Sequence, residues 1–210
     1  SMIYMTKALN ILIFTLLLES CSSLGITRSA SYLEGYIRGF DEDLISQDYY
    51  QSNEYSFANV KIGKGPAAVI VLAFAKNGLF EWRGGDGIVI FTRNGQIVKT
   101  VGLPSDVSFQ AISISDNSDE LIYTTSTFSN PSLLRANTLN QSIELNETFT
   151  IDRVDGTHLT NVFKLKRTIP SIQWTGTSRY YVDFKDRVIY SEEEIHPFLP
   201  TIRIDYFYKY

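Results

Sequence analysis

The sequence predicts a mainly β protein: a single antiparallel domain, barrel-like or a strongly curved meander, with one or two short helices. Three observations carry this. The chain has 13 Tyr and 13 Phe, with Val, Ile and Thr also frequent, and such residues suit pleated, half-buried strands. Turn signals recur at short spacing, at Asn77-Gly78, Gly84-Gly85-Asp86-Gly87 and Asn94-Gly95. The C-terminal stretch alternates, with Ile202, Ile204, Tyr206 and Tyr208 on one face and Arg203, Asp205, Phe207 and Lys209 on the other.

The N-terminus reads differently. Lys7 precedes an apolar run from Ala8 to Leu18, which matches a signal-peptide core and falls short of the roughly 20 residues that span a bilayer. Leu18-Glu19-Ser20-Cys21 then resembles the bacterial lipobox, although Glu19 stands where a small or apolar residue is usual. Cys21 is the only cysteine, so no internal disulfide can form. The expected organisation is a leader over 1–20, a lipidated tether over 21–28 and one β-rich domain over 29–210. Acyl chains on Cys21, at about 0.8 kcal/mol per buried methylene, would hold the protein to a membrane. Ser22, rather than Asp, after that cysteine favours the outer membrane in lipoproteins of this kind, with the domain facing the periplasm.

From Ser29 to Ile45 the apolar residues Tyr32, Leu33, Tyr36, Ile37, Phe40, Leu44 and Ile45 follow the spacing of an amphipathic helix. Its polar face carries Glu34, Asp41, Glu42 and Asp43, a poor match to anionic lipid. Ala58 to Gly63 reads as a short strand. Ala67 to Ala75 is a near-continuous apolar run, as expected for a strand buried on both faces. Leu79 to Arg83 returns from it. Ile88 to Thr92 and Gln96 to Thr100 form a second hairpin. Leu103 to Leu139 holds Pro104, Pro131 and many Ser and Asn, predicting loops and a short helix near Ser132 to Thr138. Strands resume at Ser142–Asp152, Leu159–Thr168, Tyr180–Phe184, Arg187–Ser191 and Thr201–Tyr208.

A net charge of −4 and a pI near 5.2 argue against a nucleic-acid surface. His158 and His196 have no partners in metal-ligand spacing, and His196, before Pro197, belongs in a turn. No nucleophile elbow or phosphate-binding glycine loop occurs. No metal, cofactor or catalytic residue is therefore expected. The run Glu192-Glu193-Glu194 reads as a solvated strand end. Trp82, Arg83 and Trp174 are the candidate glycan contacts, since aromatic faces stack on sugar rings and Arg bonds hydroxyls. Core or rim packing is the plainer reading of the two tryptophans. The aromatic Tyr210 after an alternating strand resembles the end of an outer-membrane barrel. Strands this short, with a lipobox besides, argue against one.

Gly65 to Leu103 carries an apolar strand at Val71 to Ala75, Trp82 on the next strand, and a T-x-x-G-x-I-V-K-T motif from Thr92 to Thr100. Gln173-Trp174-Thr175-Gly176, Tyr180 to Asp183, Ser191, Ile195-His196-Pro197 and Pro200 follow. In combination these resemble the group 4 capsule polysaccharide lipoproteins, the YjbF/GfcB family. Glu193 departs from the pattern, near where relatives often carry Gln. The resemblance implies an exported β-barrel-like lipoprotein without known catalytic residues. It implies a role in capsule or exopolysaccharide assembly or secretion, beside a periplasmic partner and an outer-membrane barrel protein.

Two further functions stay open at this stage. One is a polysaccharide-modifying enzyme of glycosidase type, needing a carboxylate pair. The other is a structural pilot or plug for the barrel partner.

Overall fold

A computed structural model describes residues 45–112, 121–129 and 133–209. The expected leader, Cys21, the expected tether and almost all of the stretch Ser29 to Ile45, expected as a helix, fall outside them. One short α-helix, α1 (Gln47–Ser52), leads into twelve strands. They are β1 (Phe57–Ile62), β2 (Ala67–Lys76), β3 (Leu79–Arg83), β4 (Val89–Arg93), β5 (Gln96–Val101) and β6 (Val107–Ser108). Then come β7 (Leu121–Phe128), β8 (Leu134–Arg153), β9 (Gly156–Ile169), β10 (Trp174–Val182), β11 (Val188–Glu193) and β12 (Ile202–Phe207). Each pairs antiparallel with its sequence neighbour, and β12 pairs with β1 to close the barrel. Closure removes every free edge.

The turns follow their residues. Asn77 and Gly78 have φ of 51° and 75°, and Asn94 and Gly95 have 50° and 74°. Two consecutive positive φ values are what a tight hairpin turn of this hand requires.

On β12 the alternation faces as expected. Ile202, Ile204 and Tyr206 point inward to a core shared with Trp82, Ile90 and Ile97. The outer wall carries Lys99, Arg135, Lys166 and Arg179, all exposed. The interior includes a hydrophobic core, and these outer charges do not make the apolar lipid-facing band of a membrane-spanning barrel. No helix among the described residues is long and apolar enough to cross a membrane.

Three expectations are corrected. The Ala67–Ala75 run is not buried on both faces: Val71 and Phe74 are half exposed. The barrel is a single sheet around one interior, and among the described residues no second layer covers the outer side of β2. In place of the helix expected near Ser132 to Thr138, the described residues from Leu134 on form the start of β8. Its inward residues Ala136, Thr138 and Asn140 meet Ser126 and Thr124 of β7, with Thr138 Oγ1 donating to Ser126 Oγ at 2.8 Å and Asn140 Nδ2 donating to Thr124 Oγ1 at 2.9 Å. The Glu192–Glu194 run is no solvated end, because Glu193 turns fully into the barrel.

Candidate functional site

Trp82, Arg83 and Trp174 do not form one site. Trp82 is fully buried. Its Nε1 donates to Thr92 Oγ1 at 2.9 Å, and its rings meet Tyr206 at 5.3 Å and Phe80 at 6.2 Å. No face is left for a sugar, so its expected glycan contact is corrected to a core role. Arg83 lies on the surface, paired through Nε with Glu81 at 2.6 Å. Trp174 is half-buried at the edge of the same core, edge-on to Phe128 at 6.4 Å. Its ring covers Gly176, where a Cβ would lie 2.5 Å from the indole.

The barrel interior holds a charged network the sequence did not reveal. Glu193 Oε2 accepts from Tyr180 Oη at 2.9 Å and from the Ile97 amide at 3.1 Å. Oε1 accepts from Ser191 Oγ at 3.2 Å. Burial pushes the Glu193 carboxyl up to about 7, against the pull of Tyr180, Arg167 and the Ile97 amide. Arg167 of β9 is also buried. Its Nε donates to Asn140 Oδ1 at 3.2 Å, and its guanidinium lies 4.0 Å over the Phe109 ring. Burial pulls the Arg167 guanidinium below its ordinary value, opposed by nearby Tyr180 and Glu193. A carboxyl titrating near 7 suits general acid–base work. Glu193, however, is closed off from solvent with both oxygens engaged, and it acts as a buried tie between β10, β11 and the start of β5. A lone Glu inside an acidic run gives no sequence signal for this.

The histidines are structural. His196 sits in the expected turn, with Leu199 N donating to its carbonyl at 3.2 Å. It is nonetheless buried. Its Nε2 meets the Ser129 carbonyl at 3.0 Å and its Nδ1 accepts from Phe198 N at 3.0 Å, which assigns the proton to Nε2. Burial lowers its pKa, keeping the ring neutral. His158 lies 3.2 Å from Asp155, a carboxylate neighbour missed at the sequence level. Among the described residues no group of three His, Cys, Asp or Glu could hold a metal.

Two concavities stand out among the described residues. One, about 690 Å³, is the apolar mouth of the barrel, lined by Ile62, Ala68, Ile88, Leu103 and Leu199 among others. The other, about 670 Å³, lies on the outer wall. The tip of the long β8–β9 hairpin folds back over β10, β11, β12 and β1 to form it. Arg153 pins that tip: Nη1 donates to the Ile189 carbonyl at 2.9 Å and Nη2 to the Tyr206 carbonyl at 3.0 Å. Its guanidinium lies 4.4 Å over the Phe207 ring. Asp155 clamps the other side, with Nη2 to Oδ2 at 2.6 Å. Burial raises the Asp155 carboxyl, but Arg153 and His158 together outweigh it and hold the group below its usual value.

The family model for the group 4 capsule polysaccharide lipoprotein gfcB, YjbF matches residues 31–207. The chain belongs to this family. A solved structure, the hypothetical lipoprotein YmcC from Escherichia coli (K12), superposes with a TM-score of 0.68 at 14% identity. The match covers 88% of this chain and 96% of that one, and it establishes a shared fold. No curated protein matches. Family membership agrees with the motifs from Val71 to Thr100 and from Gln173 to Pro200. Several of these are now seen as packing devices: Trp82 and Thr92 bond each other, and Trp174 shields Gly176.

Proposed function

We propose that this protein is a lipid-anchored, non-catalytic accessory factor in the assembly or secretion of capsule or exopolysaccharide. Membership of the capsule polysaccharide lipoprotein family over residues 31–207 is the observation that carries this reading. The anchor is the acylated Cys21, and the membrane is the outer membrane, with the barrel on its periplasmic side. Its partners are an outer-membrane barrel and periplasmic proteins of the export system. Tethering raises its concentration near such partners, so modest contacts suffice. Arg83 and Trp174 are the sequence-selected residues with surface to offer a sugar. The burial of Glu193, the one carboxylate among the described residues with a pKa raised toward neutrality, supports a non-catalytic role.

The test compares surface and periplasmic polysaccharide in a strain lacking the gene with wild type. Loss from the surface with periplasmic accumulation is the expected result. Unchanged location with altered chain length would sink the accessory reading in favour of a modifying enzyme. A Cys21→Ala strain should show the export defect with the barrel still folded.

A further inference from the structure

The barrel interior stays open at one end. Along β1, β2 and β4 the inward side chains lose their cover toward that end. On β1, Ala58 and Val60 are buried and Ile62 is only half-buried. On β2, Ile70 is buried, whereas Ala68, on the same face and opposite Val60 in register, is exposed. Ile90 is buried and Ile88 half-buried. An inward residue left exposed means that the interior is not filled there. The side chains of about eight strands just fill a barrel. Twelve strands enclose more room, and part of it is the cavity of about 690 Å³ at this mouth. Gly63, Gly65, Gly84 and Gly85 stand on its rim turns and put no side chain across the opening.

The chemistry of the lining selects the ligand. Every side chain that lines the mouth is apolar except Lys64, and Phe198, 69% exposed at the rim, is its one aromatic ring. A sugar would bury hydroxyls there with almost nothing to bond them. Ligands of such mouths are held by apolar walls and oriented by a few polar groups. Aliphatic walls without aromatic planes suit a flexible hydrocarbon chain. Lys64 lies exposed in the β1–β2 turn, so its ammonium can meet an anionic head in water while the chain runs inward. Asp106, in the turn that carries Leu103 and Pro104, is already engaged, accepting from Thr100, Gly102 and Leu103. We propose that the barrel mouth binds a diffusible lipid, a single long aliphatic chain with an anionic headgroup. The chain lies against Ile62, Ala68, Ile88 and Leu199, and the head sits at Lys64.

The test uses the full mature chain with Cys21→Ser, which carries no acyl chain of its own. Decanoate, dodecanoate and tetradecanoate are titrated in monomeric form by calorimetry. One site per chain is expected, tightening about 15-fold for every two methylenes at about 0.8 kcal/mol each. Dodecanoate should shift the amide resonances of Ala68, Ile88 and Leu199 and leave those of Tyr181 and Tyr190, in the outer-wall groove, unchanged. Ala68→Trp should abolish binding, and Val71→Trp, on the outer face of the same strand, should not. Urea unfolding checks that both fold, and the resonance map decides the matter without either. Lys64→Glu should weaken decanoate roughly 10-fold and leave decanol unchanged. No saturable binding, an affinity independent of chain length, or shifts outside the mouth would overturn the proposal. Undiminished decanoate binding by Lys64→Glu would overturn the anionic head. Binding by Cys21→Ser but not by the acylated protein would overturn it in favour of the protein's own acyl chain. Association with phosphatidylglycerol vesicles without uptake of monomeric dodecanoate would overturn it in favour of a face that docks on a bilayer. These readouts need no polysaccharide, so they can fail while the export role stands, and the reverse.

Discussion

The hydroxyl of Tyr180 donates to Glu193 at 2.9 Å inside the closed barrel, where neither side chain touches solvent. The consequence is a pH-dependent stability. In the unfolded chain Glu193 loses its proton near 4.5, whereas in the folded barrel it keeps it up to about 7. Across that window the folded state binds the extra proton, so stability falls as pH rises from about 4.5 to about 7 and levels off above. The difference corresponds to a loss on the order of 3 kcal/mol at about 1.4 kcal/mol per pH unit. Glu193→Gln keeps the shape and an acceptor for the Ile97 amide, and should fold without that slope. Urea unfolding at pH 5, 6, 7 and 8 decides it; equal slopes in both proteins would place the titrating group elsewhere.

Arg153 carries the hairpin tip on two backbone carbonyls. Arg153→Ala should free residues 148–160, at a cost of about 2 kcal/mol for charged hydrogen bonds lost at a part-buried site. Faster hydrogen exchange confined to that hairpin is the expected signature. Arg153→Lys should not restore protection, because an ammonium lacks the planar fork that reaches Ile189, Tyr206 and Asp155 together.

Trp82 is a core residue, and its loss should be felt as stability. Trp82→Ala should cost about 3–5 kcal/mol. Trp82→Phe should cost about 1–3 kcal/mol, since it removes the indole N–H that Thr92 accepts and leaves that hydroxyl without its donor. Chemical denaturation measures both. A barrel as stable as wild type after Trp82→Ala would contradict the packing described.

Gly95 is required twice over. Its φ is +74°, and a Cβ there would collide with Val188. Gly95→Ala should destabilise by more than about 2 kcal/mol, combining strain at positive φ with overpacking. Gly85→Ala is the control, since a Cβ there meets nothing within 4 Å. Thermal unfolding of the pair should show a drop only for the former.

Much of the barrel was legible because its signals are local. Asn77-Gly78 and Asn94-Gly95 announce their hairpins through positive φ, and the inward stripe of β12 is a two-residue period that any half-buried strand must show. β7 and the start of β8 were illegible for a related reason. Their inward residues mix Thr124, Ser126, Thr138 and Asn140 with apolar Phe128 and Ala136, while Leu121 and Tyr123 point to solvent. Polar groups inside and apolar ones outside blur the alternation, so it reads as polar loop. Of the candidate site residues, Arg83 and Trp174 kept some surface and Trp82 did not. An aromatic on a strand carries no mark of which side of the sheet it will face.

The sequence by itself determined the β class, the hairpins in its first half and the family, because each depends on residues adjacent in the chain. Only the tertiary structure decided the closure of β12 on β1, the burial of Arg167 and Glu193, and the groove under the Arg153 hairpin. Those depend on groups that lie far apart in sequence, such as Ile97 and Glu193 or Arg153 and Tyr206. Their energies exist only once the chain has curved through a full turn and excluded water from its interior.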